Sequence, residues 1–184
     1  MPKVRGSALL TRVAYVKDKW GEDGWKRVHA ALSAATKQIL AGHITPREWH
    51  PFDAFVDLNV RIDSLFGKGD YRLCYEIGAY GAEKNMSTIY KVFIRIGSLT
   101  FNLEKAASLW NEHYDAGRLV TKNENGFVTL RIEDFPTPHC SHCFSVLGWA
   151  GKCAEMSGSK LLDKQRTGCR NWREGACIMS LRTA

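Results

Sequence analysis

Cysteines crowd the last quarter of the sequence, in a pattern that suits metal binding. Cys74 stands alone, and the other five cysteines are Cys140, Cys143, Cys153, Cys169 and Cys177. Cys140 and Cys143 lie three positions apart, so on a helix their thiols share one face and can reach one ion. Cys169 and Cys177 flank the turn of a predicted hairpin, where Gly175 permits the reversal. Two such pairs resemble a structural zinc site, because zinc takes four thiolate or imidazole ligands in a tetrahedron.

The same residues have a second interpretation. Cysteine is a small apolar residue that is often buried without any metal, so Cys140 and Cys143 could simply fill a core. His139 and His142 flank this pair and could replace either thiol as a ligand. The spacing alone leaves zinc binding and core packing equally supported.

Composition limits the remaining classes. The chain has 184 residues, of which 45% are hydrophobic, and a formal net charge of +7. This length predicts one domain over residues 1–184. No stretch approaches the ~20 apolar residues of a membrane span, and Ala8-Leu9-Leu10 is too short for a signal-peptide core, so we expect a cytoplasmic protein. The basic residues are scattered rather than clustered, which argues against a nucleic-acid partner.

The elements that must position these residues change character along the chain. Residues 1–116 have mostly helical periodicity, with a break at Gly21 and a helix start predicted at Thr45-Pro46-Arg47-Glu48 by its capping-box pattern. We also predict a helix over Ser87 to Ile96. Residues 117–184 predict a hairpin turning at Asn125-Gly126, a helix from Thr137 to about Ser157, and a second hairpin. The sequence therefore predicts an α+β fold, with N-terminal helices packed on a small antiparallel sheet in a hairpin–helix–hairpin core.

Several segments carry a family resemblance. They are Tyr75-Glu76-Ile77-Gly78, Tyr90-Lys91-Val92-Phe93, Gly117-Arg118, Asp134-Phe135-Pro136-Thr137-Pro138-His139 and Ser145-Val146-Leu147-Gly148-Trp149-Ala150. They resemble an uncharacterised family of myxobacterial-type proteins that is similar to the 4-vinyl-reductase (V4R) domains. Those domains share a fold with heme-based nitric-oxide sensors, Bet3-type TRAPP subunits and the aromatic-sensing domains of phenol- and xylene-responsive activators. The narrow resemblance covers nearly the whole chain, and the V4R signature covers about residues 117 to 184.

The resemblance implies a zinc site. Cys143, Cys169 and Cys177 fall on the three cysteine positions that bind zinc in the aromatic sensors. The fourth ligand there is a glutamate, whereas this chain has Arg166, and a guanidinium cannot ligate zinc. The fourth ligand is then missing, or is supplied by Cys140 or His142.

The shared fold also implies an apolar ligand pocket between the helices and the sheet. The candidates for ligand contact are Tyr90, Phe93, Trp110, His113, Tyr114 and Phe144. Trp110, His113 and Tyr114 are favoured because each joins an apolar body to a polar tip, although aromatic residues at helical spacing are usually core. His113 could be a heme ligand by analogy with the nitric-oxide sensors. However, the Tyr-x-Ser-x-Arg clamp of those sensors is not recognisable here, so the sequence argues against heme.

Together these observations predict a sensor or adaptor that binds a small apolar or aromatic ligand and has a structural zinc site. We expect it to form a homodimer and to signal through a partner protein. Gly67-Lys68-Gly69-Asp70 lacks the pattern of a phosphate-binding loop, and no other enzyme motif stands out. Two alternatives stay open. One is an enzyme or accessory protein acting on a tetrapyrrole or aromatic substrate, and the other is a Bet3-like assembly subunit.

Overall fold

The computed structural model describes residues 1–85, 99–169 and 176–184. Its N-terminal part is mainly helical and includes a two-stranded antiparallel sheet, β1–β2. The elements of this part are β1 (Lys3–Arg5), α1 (Gly6–Ala31), α2 (Ala34–Ala41), β2 (Trp49–Pro51), α3 (Phe52–Phe66) and α4 (Leu73–Asn85). As the sequence predicts, α1 is interrupted at Gly21, whose φ of 68° is not helical.

Two further helices lead into a four-stranded sheet. They are α5 (Leu99–Ser108) and the single turn α6 (Trp110–His113). The rest of the chain consists of β3 (Arg118–Glu124), β4 (Phe127–Glu133), α7 (Cys140–Met156), β5 (Leu161–Gly168) and β6 (Cys177–Thr183). The strands pair antiparallel in the order β3-β4-β6-β5. The predicted α+β class and its hairpin–helix–hairpin order are confirmed.

The first hairpin forms for the reason that its sequence indicates. Asn125 and Gly126 have φ values of 50° and 84°, which is the geometry of a two-residue type I′ turn. Along β4, Val128, Leu130 and Ile132 are buried, while Arg131 is exposed. This alternation turns one face of the sheet toward the core.

The long helix α7 is central to the molecule, because it packs against both the sheet and α4. Its approach to α4 is possible only at glycines. A Cβ at Gly78 would lie 2.0 Å from the carbonyl oxygen of Ser145, and one at Gly148 would lie 1.9 Å from that of Tyr75. The two helix backbones are therefore in direct contact at these two glycines.

Two sequence predictions need comment. The helix start predicted at Thr45 is wrong: the Glu48 carboxylate accepts a hydrogen bond from the Thr45 N–H at 3.0 Å, but this closes a turn rather than a helix. The following residues pair with β1 as strand β2, and α3 begins only at Phe52. The helix predicted over Ser87 to Ile96 lies outside the described residues. Within the described part, no helix has the length and hydrophobicity needed to cross a membrane.

Candidate functional site

Three of the predicted metal ligands meet in the core. The sulfur atoms of Cys143, Cys169 and Cys177 all lie within 4.8 Å of one another, and all three side chains are buried. Cys143 comes from the first turn of α7, Cys169 directly follows β5, and Cys177 begins β6. Two sulfurs bound to one zinc at about 2.3 Å each stand no more than about 4.6 Å apart, so this cluster is close to metal-binding geometry.

Cys140 lies beside this cluster, one helical turn before Cys143. Its sulfur is 3.6 Å from that of Cys169 and accepts a hydrogen bond from the Arg166 guanidinium at 3.0 Å. Of the two reserve ligands that the sequence offers, Cys140 is therefore the one next to the other thiols. Arg166, at the position where the resemblance has a glutamate, contacts the cluster through Cys140.

The thiols of the cluster resist ionisation without a metal. Hydrogen bonds to Cys169 and Cys177, followed by burial, raise the pKa of Cys143 far above its ordinary value. Burial also raises the pKa of Cys140, and the charge of Arg166 opposes this increase. All six cysteines of the chain are buried and reduced, so Cys74 and Cys153 are core residues.

A separate cavity of about 130 Å³ lies between α1, α4, α6, α7 and β3. Three of the candidates for ligand contact, Trp110, His113 and Tyr114, line it. Its apolar wall comes mainly from Ile77, Leu109, Leu119, Val146 and Trp149. Phe144, another candidate, is not part of this lining. Its ring centre lies 5.0 Å from the Arg166 guanidinium. Tyr90 and Phe93 lie outside the described residues.

The three aromatic candidates differ in what they can offer a ligand. The Trp110 indole N–H already donates to the Ala116 carbonyl at 2.9 Å, so this side chain presents only its ring. Burial raises the pKa of Tyr114 to about 12, which keeps its hydroxyl protonated and able to donate. Desolvation lowers the pKa of His113. The charge of Glu112 opposes this shift, and the charge of Arg5 adds to it. This shift favours the neutral form of His113 at pH 7, and a neutral imidazole is able to bind a metal.

The charged residue of the cavity wall is absent from the predicted ligand contacts. Arg12, in α1, is only 5% exposed and lines the cavity together with Ser145. Its guanidinium lies 4.0 Å from the centre of the Phe55 ring. A sequence signal does exist, since Arg12 stands between Leu9 and Val16 at helical spacing, on the stripe that packs against the core. A charged residue on an apolar stripe is a feature that periodicity analysis should single out.

His142 packs away from the thiols. Its ring is enclosed by Phe52, Phe55, Trp110, Tyr114 and Phe135, with ring centres 4.8–5.7 Å away. Its Nε2 atom has no hydrogen-bond partner among the described residues. Burial lowers the pKa of His142 to about 3, so the ring is neutral. This histidine therefore completes an aromatic core cluster and not the cysteine site.

The fold is similar to that of solved H-NOX domains. An oxygen-binding H-NOX domain related to soluble guanylate cyclases superimposes with a TM-score of 0.64 and 15% identity, covering 97% of this chain and 93% of that one. An H-NOX protein from S. oneidensis in the Fe(II)NO ligation state gives a TM-score of 0.69 and 11% identity, covering 98% and 99%. A structure from a study of heme distortion in the H-NOX family gives 0.68 and 15%, covering 97% and 93%. No protein-family model and no curated protein matches the chain.

These similarities confirm one part of the sequence-based resemblance and correct another. The fold shared with heme-based nitric-oxide sensors is confirmed, whereas the comparisons give no support for the V4R or Bet3 resemblance. The argument against heme is wrong: the similar structures include an H-NOX domain used to probe heme distortion and one in the Fe(II)NO ligation state. The missing clamp motif is a poor test, because at 11–15% identity a fold can be kept while a short motif is not.

Proposed function

We propose that this protein is a small-molecule-binding sensor module whose ligand site is the cavity between α1, α4, α6 and α7. The observation that carries this proposal is the cavity itself, which combines an apolar wall with the polar groups of His113, Tyr114 and Arg12. Ligand sites in proteins have this composition, in which an apolar surface supplies affinity and a few polar groups supply orientation. The similarity to H-NOX sensor domains supports the same interpretation.

The groups at the cavity also suit heme. His113 offers a neutral imidazole nitrogen at the mouth, which is the axial ligand type of many heme proteins. The Trp110 and Trp149 rings provide flat apolar surface for a macrocycle, and the buried guanidinium of Arg12 suits a carboxylate. When bound, heme iron would supply a coordination position for a small diatomic ligand. The cavity volume of about 130 Å³ is below the roughly 300–1,000 Å³ of usual ligand sites, so entry of heme requires these helices to separate.

A hemin titration followed by absorption tests this assignment. We expect a saturable Soret band with one hemin per chain, and we expect His113→Ala to shift that band and weaken binding. His43→Ala is the matched control, because His43 is exposed and does not line the cavity. Equal spectra and affinities for the two variants would remove His113 from the site. Failure of the wild-type protein to bind hemin in a saturable way would exclude heme.

The proposed output is a change in the surface that meets a second copy or a partner protein. Tyr114 forms a β-bridge with Val4, and the Asp115 N–H donates to the Lys3 carbonyl at 3.3 Å, so α6 is coupled to β1. The four-stranded sheet exposes large apolar side chains at Val120, Phe127 and Leu162, and such surface is common where proteins associate. Light scattering tests the homodimer: we expect about twice the chain mass of 20.7 kDa, and a monomer would contradict it.

We further propose a structural zinc site at the cysteine cluster. Cys143, Cys169 and Cys177 would provide three thiolates, and Cys140 the fourth. Arg166, which hydrogen-bonds to the Cys140 sulfur, would then offset part of the negative charge of four thiolates. Ligation would hold the end of β5 and the start of β6 against α7, since these elements carry the three clustered thiols.

Metal analysis of protein purified without added zinc tests this site. We expect about one zinc per chain, and we expect Cys169→Ser to lose the metal and lower the melting temperature. Cys153→Ser is the matched control, because Cys153 is equally buried but lies outside the cluster. Less than about one zinc per two chains, with the stability of Cys169→Ser unchanged, would refute the proposal.

A further inference from the structure

Arg12 is a buried positive charge at the cavity wall that no carboxylate neutralises within the described part of the chain. Its Nε donates to the Asn59 side-chain oxygen at 3.0 Å, one terminal nitrogen to the Ala8 carbonyl at 3.0 Å, and the other to the Ser145 hydroxyl at 3.1 Å. All three partners are neutral. Removing a charge from water is strongly unfavourable unless an opposite charge or a full set of hydrogen bonds replaces the solvent.

The hydrogen bonds of Arg12 are incomplete. A guanidinium has five N–H groups, and the three bonds above account for three of them. One N–H on each terminal nitrogen is left without a partner among residues 1–85, 99–169 and 176–184. The two terminal nitrogens are the edge that binds a carboxylate through two parallel hydrogen bonds.

The acidic groups near Arg12 do not serve as its counter-ion. Asp63 is the buried carboxylate of α3, and it accepts hydrogen bonds from the backbone N–H groups of Tyr71 and Leu73. Cys74 and Tyr114 are the groups whose anions would interact favourably with Arg12. Burial raises the pKa of each to about 12, so both are neutral at pH 7. Burial lowers the pKa of Arg12 to about 10, which leaves it charged.

Two neutral donors beside Arg12 complete an anion site. The Ser145 hydroxyl accepts from Arg12, so its own proton is available for another acceptor. Within the described residues, the Tyr114 hydroxyl has no hydrogen-bond partner, and it lines the same cavity. The remainder of the wall is apolar, with Ile77 and Val146 among its residues.

We propose that the cavity selects ligands that carry a carboxylate on an apolar body, with the carboxylate held by Arg12, Ser145 and Tyr114. This inference rests on the proposed function, because it names the ligand class of the same cavity. The carboxylate has two sources, a free small organic acid or a propionate of heme. A volume of about 130 Å³ favours a small acid with few carbon atoms.

Calorimetric titration with benzoate and benzamide tests the charge requirement, since the two probes have nearly the same shape. We expect benzoate to bind about tenfold to a hundredfold more tightly than benzamide, because a hydrogen bond to a charged group is stronger than one to a neutral group. Arg12→Lys keeps the charge but removes the paired donors, and we expect it to weaken benzoate binding. Equal affinity for the two probes in wild-type protein contradicts the free-acid form of the proposal.

Arg12 is buried, and replacing it risks unfolding the protein, so Ser145→Ala provides an independent test. We expect it to weaken benzoate binding about tenfold and to leave benzamide binding unchanged. Ser180→Ala is the matched control: Ser180 is buried in β6 and does not line the cavity. The same effect from both serine variants would assign the loss to altered packing and overturn the role of Ser145.

Hemin and its dimethyl ester distinguish the second source of carboxylate. Tighter binding of hemin than of the ester, weakened by Ser145→Ala, assigns the site to a propionate and supports the proposal. Equal binding of hemin and its ester, together with equal binding of benzoate and benzamide, overturns the carboxylate site but leaves the sensor function intact. If none of the four probes binds, the sensor function and this inference both fail.

Discussion

Replacing Gly78 by alanine tests the contact between α4 and α7 on which the cavity depends. The new Cβ would lie 2.0 Å from the Ser145 carbonyl oxygen and 2.8 Å from its carbon. Real Cβ atoms essentially never come closer than 3.0 Å to such backbone atoms, so the helices must separate by about 1 Å. Both contact atoms belong to the helix backbone, so a side-chain rotation cannot relieve the overlap.

The expected effect follows from two opposing terms. Overpacking a core destabilises by about 1–3 kcal/mol, and separating two backbones falls at the upper end of this range. Alanine in place of glycine within a helix returns roughly 1 kcal/mol. We therefore expect the free energy of unfolding to fall by about 2 kcal/mol. In a chain of this length the melting temperature would decrease by about 4–8 °C.

Gly81→Ala is the matched control in the same helix. A Cβ there would meet only the Thr11 side-chain methyl, at 3.3 Å, and this group can move by a few tenths of an ångström. We expect its stability to match or slightly exceed that of the wild type, because the helix propensity gain is kept. Urea unfolding of the three proteins measures both effects. If Gly78→Ala proves as stable as Gly81→Ala, the close backbone contact between α4 and α7 is incorrect.

Two further predictions concern buried polar groups. His142 has a pKa of about 3 in the folded protein against 6.5 for an unperturbed histidine, so unfolded chains bind more protons as the pH falls from about 6.5 to about 3. We expect the free energy of unfolding to decrease over this range by up to about 1.4 kcal/mol per pH unit. Urea unfolding at several pH values measures it, and His142→Phe should make the free energy depend less on pH. Identical pH profiles for the two proteins would contradict the neutral buried ring. Asp63→Ala leaves the N–H groups of Tyr71 and Leu73 unpaired, and we expect a loss of roughly 1–3 kcal/mol by thermal unfolding. Exposed Asp23→Ala should change stability by less than about 0.5 kcal/mol, and similar losses for both aspartate variants would contradict a capping role for Asp63.

The sequence determined the local elements and the identity of the thiol cluster. Asn125-Gly126 specifies a type I′ turn through its own backbone preferences, and the alternation along β4 specifies which side chains face the core. The resemblance placed Cys143, Cys169 and Cys177 at one site, and their sulfur atoms do lie together in the fold. These inferences succeed because they depend on neighbouring residues or on short connections.

Local patterns also misled where a distant partner decides the outcome. The Thr45–Glu48 pattern does form its hydrogen bond, yet no helix follows directly. The next residues, 49–51, instead pair with β1, a strand that precedes α1 in the chain. Likewise, spacing could not separate Cys140 from His142 as the residue beside the other thiols. The aromatic side chains around His142 come from α3, α6 and the segment before α7, and only their packing turns this ring away from the cysteines.

The ligand cavity belongs almost entirely to the tertiary structure. By itself, the sequence named Trp110, His113 and Tyr114 as residues able to contact a ligand, because their side chains join apolar bodies to polar tips. It could not show that Arg12 and Ser145, 133 positions apart, meet at the same wall. That meeting depends on how α1 packs against α7, since Arg12 lies in the first helix and Ser145 in the second. The charge at this wall is thus a property of helix packing, since the fold buries Arg12 among neutral partners in the described part of the chain.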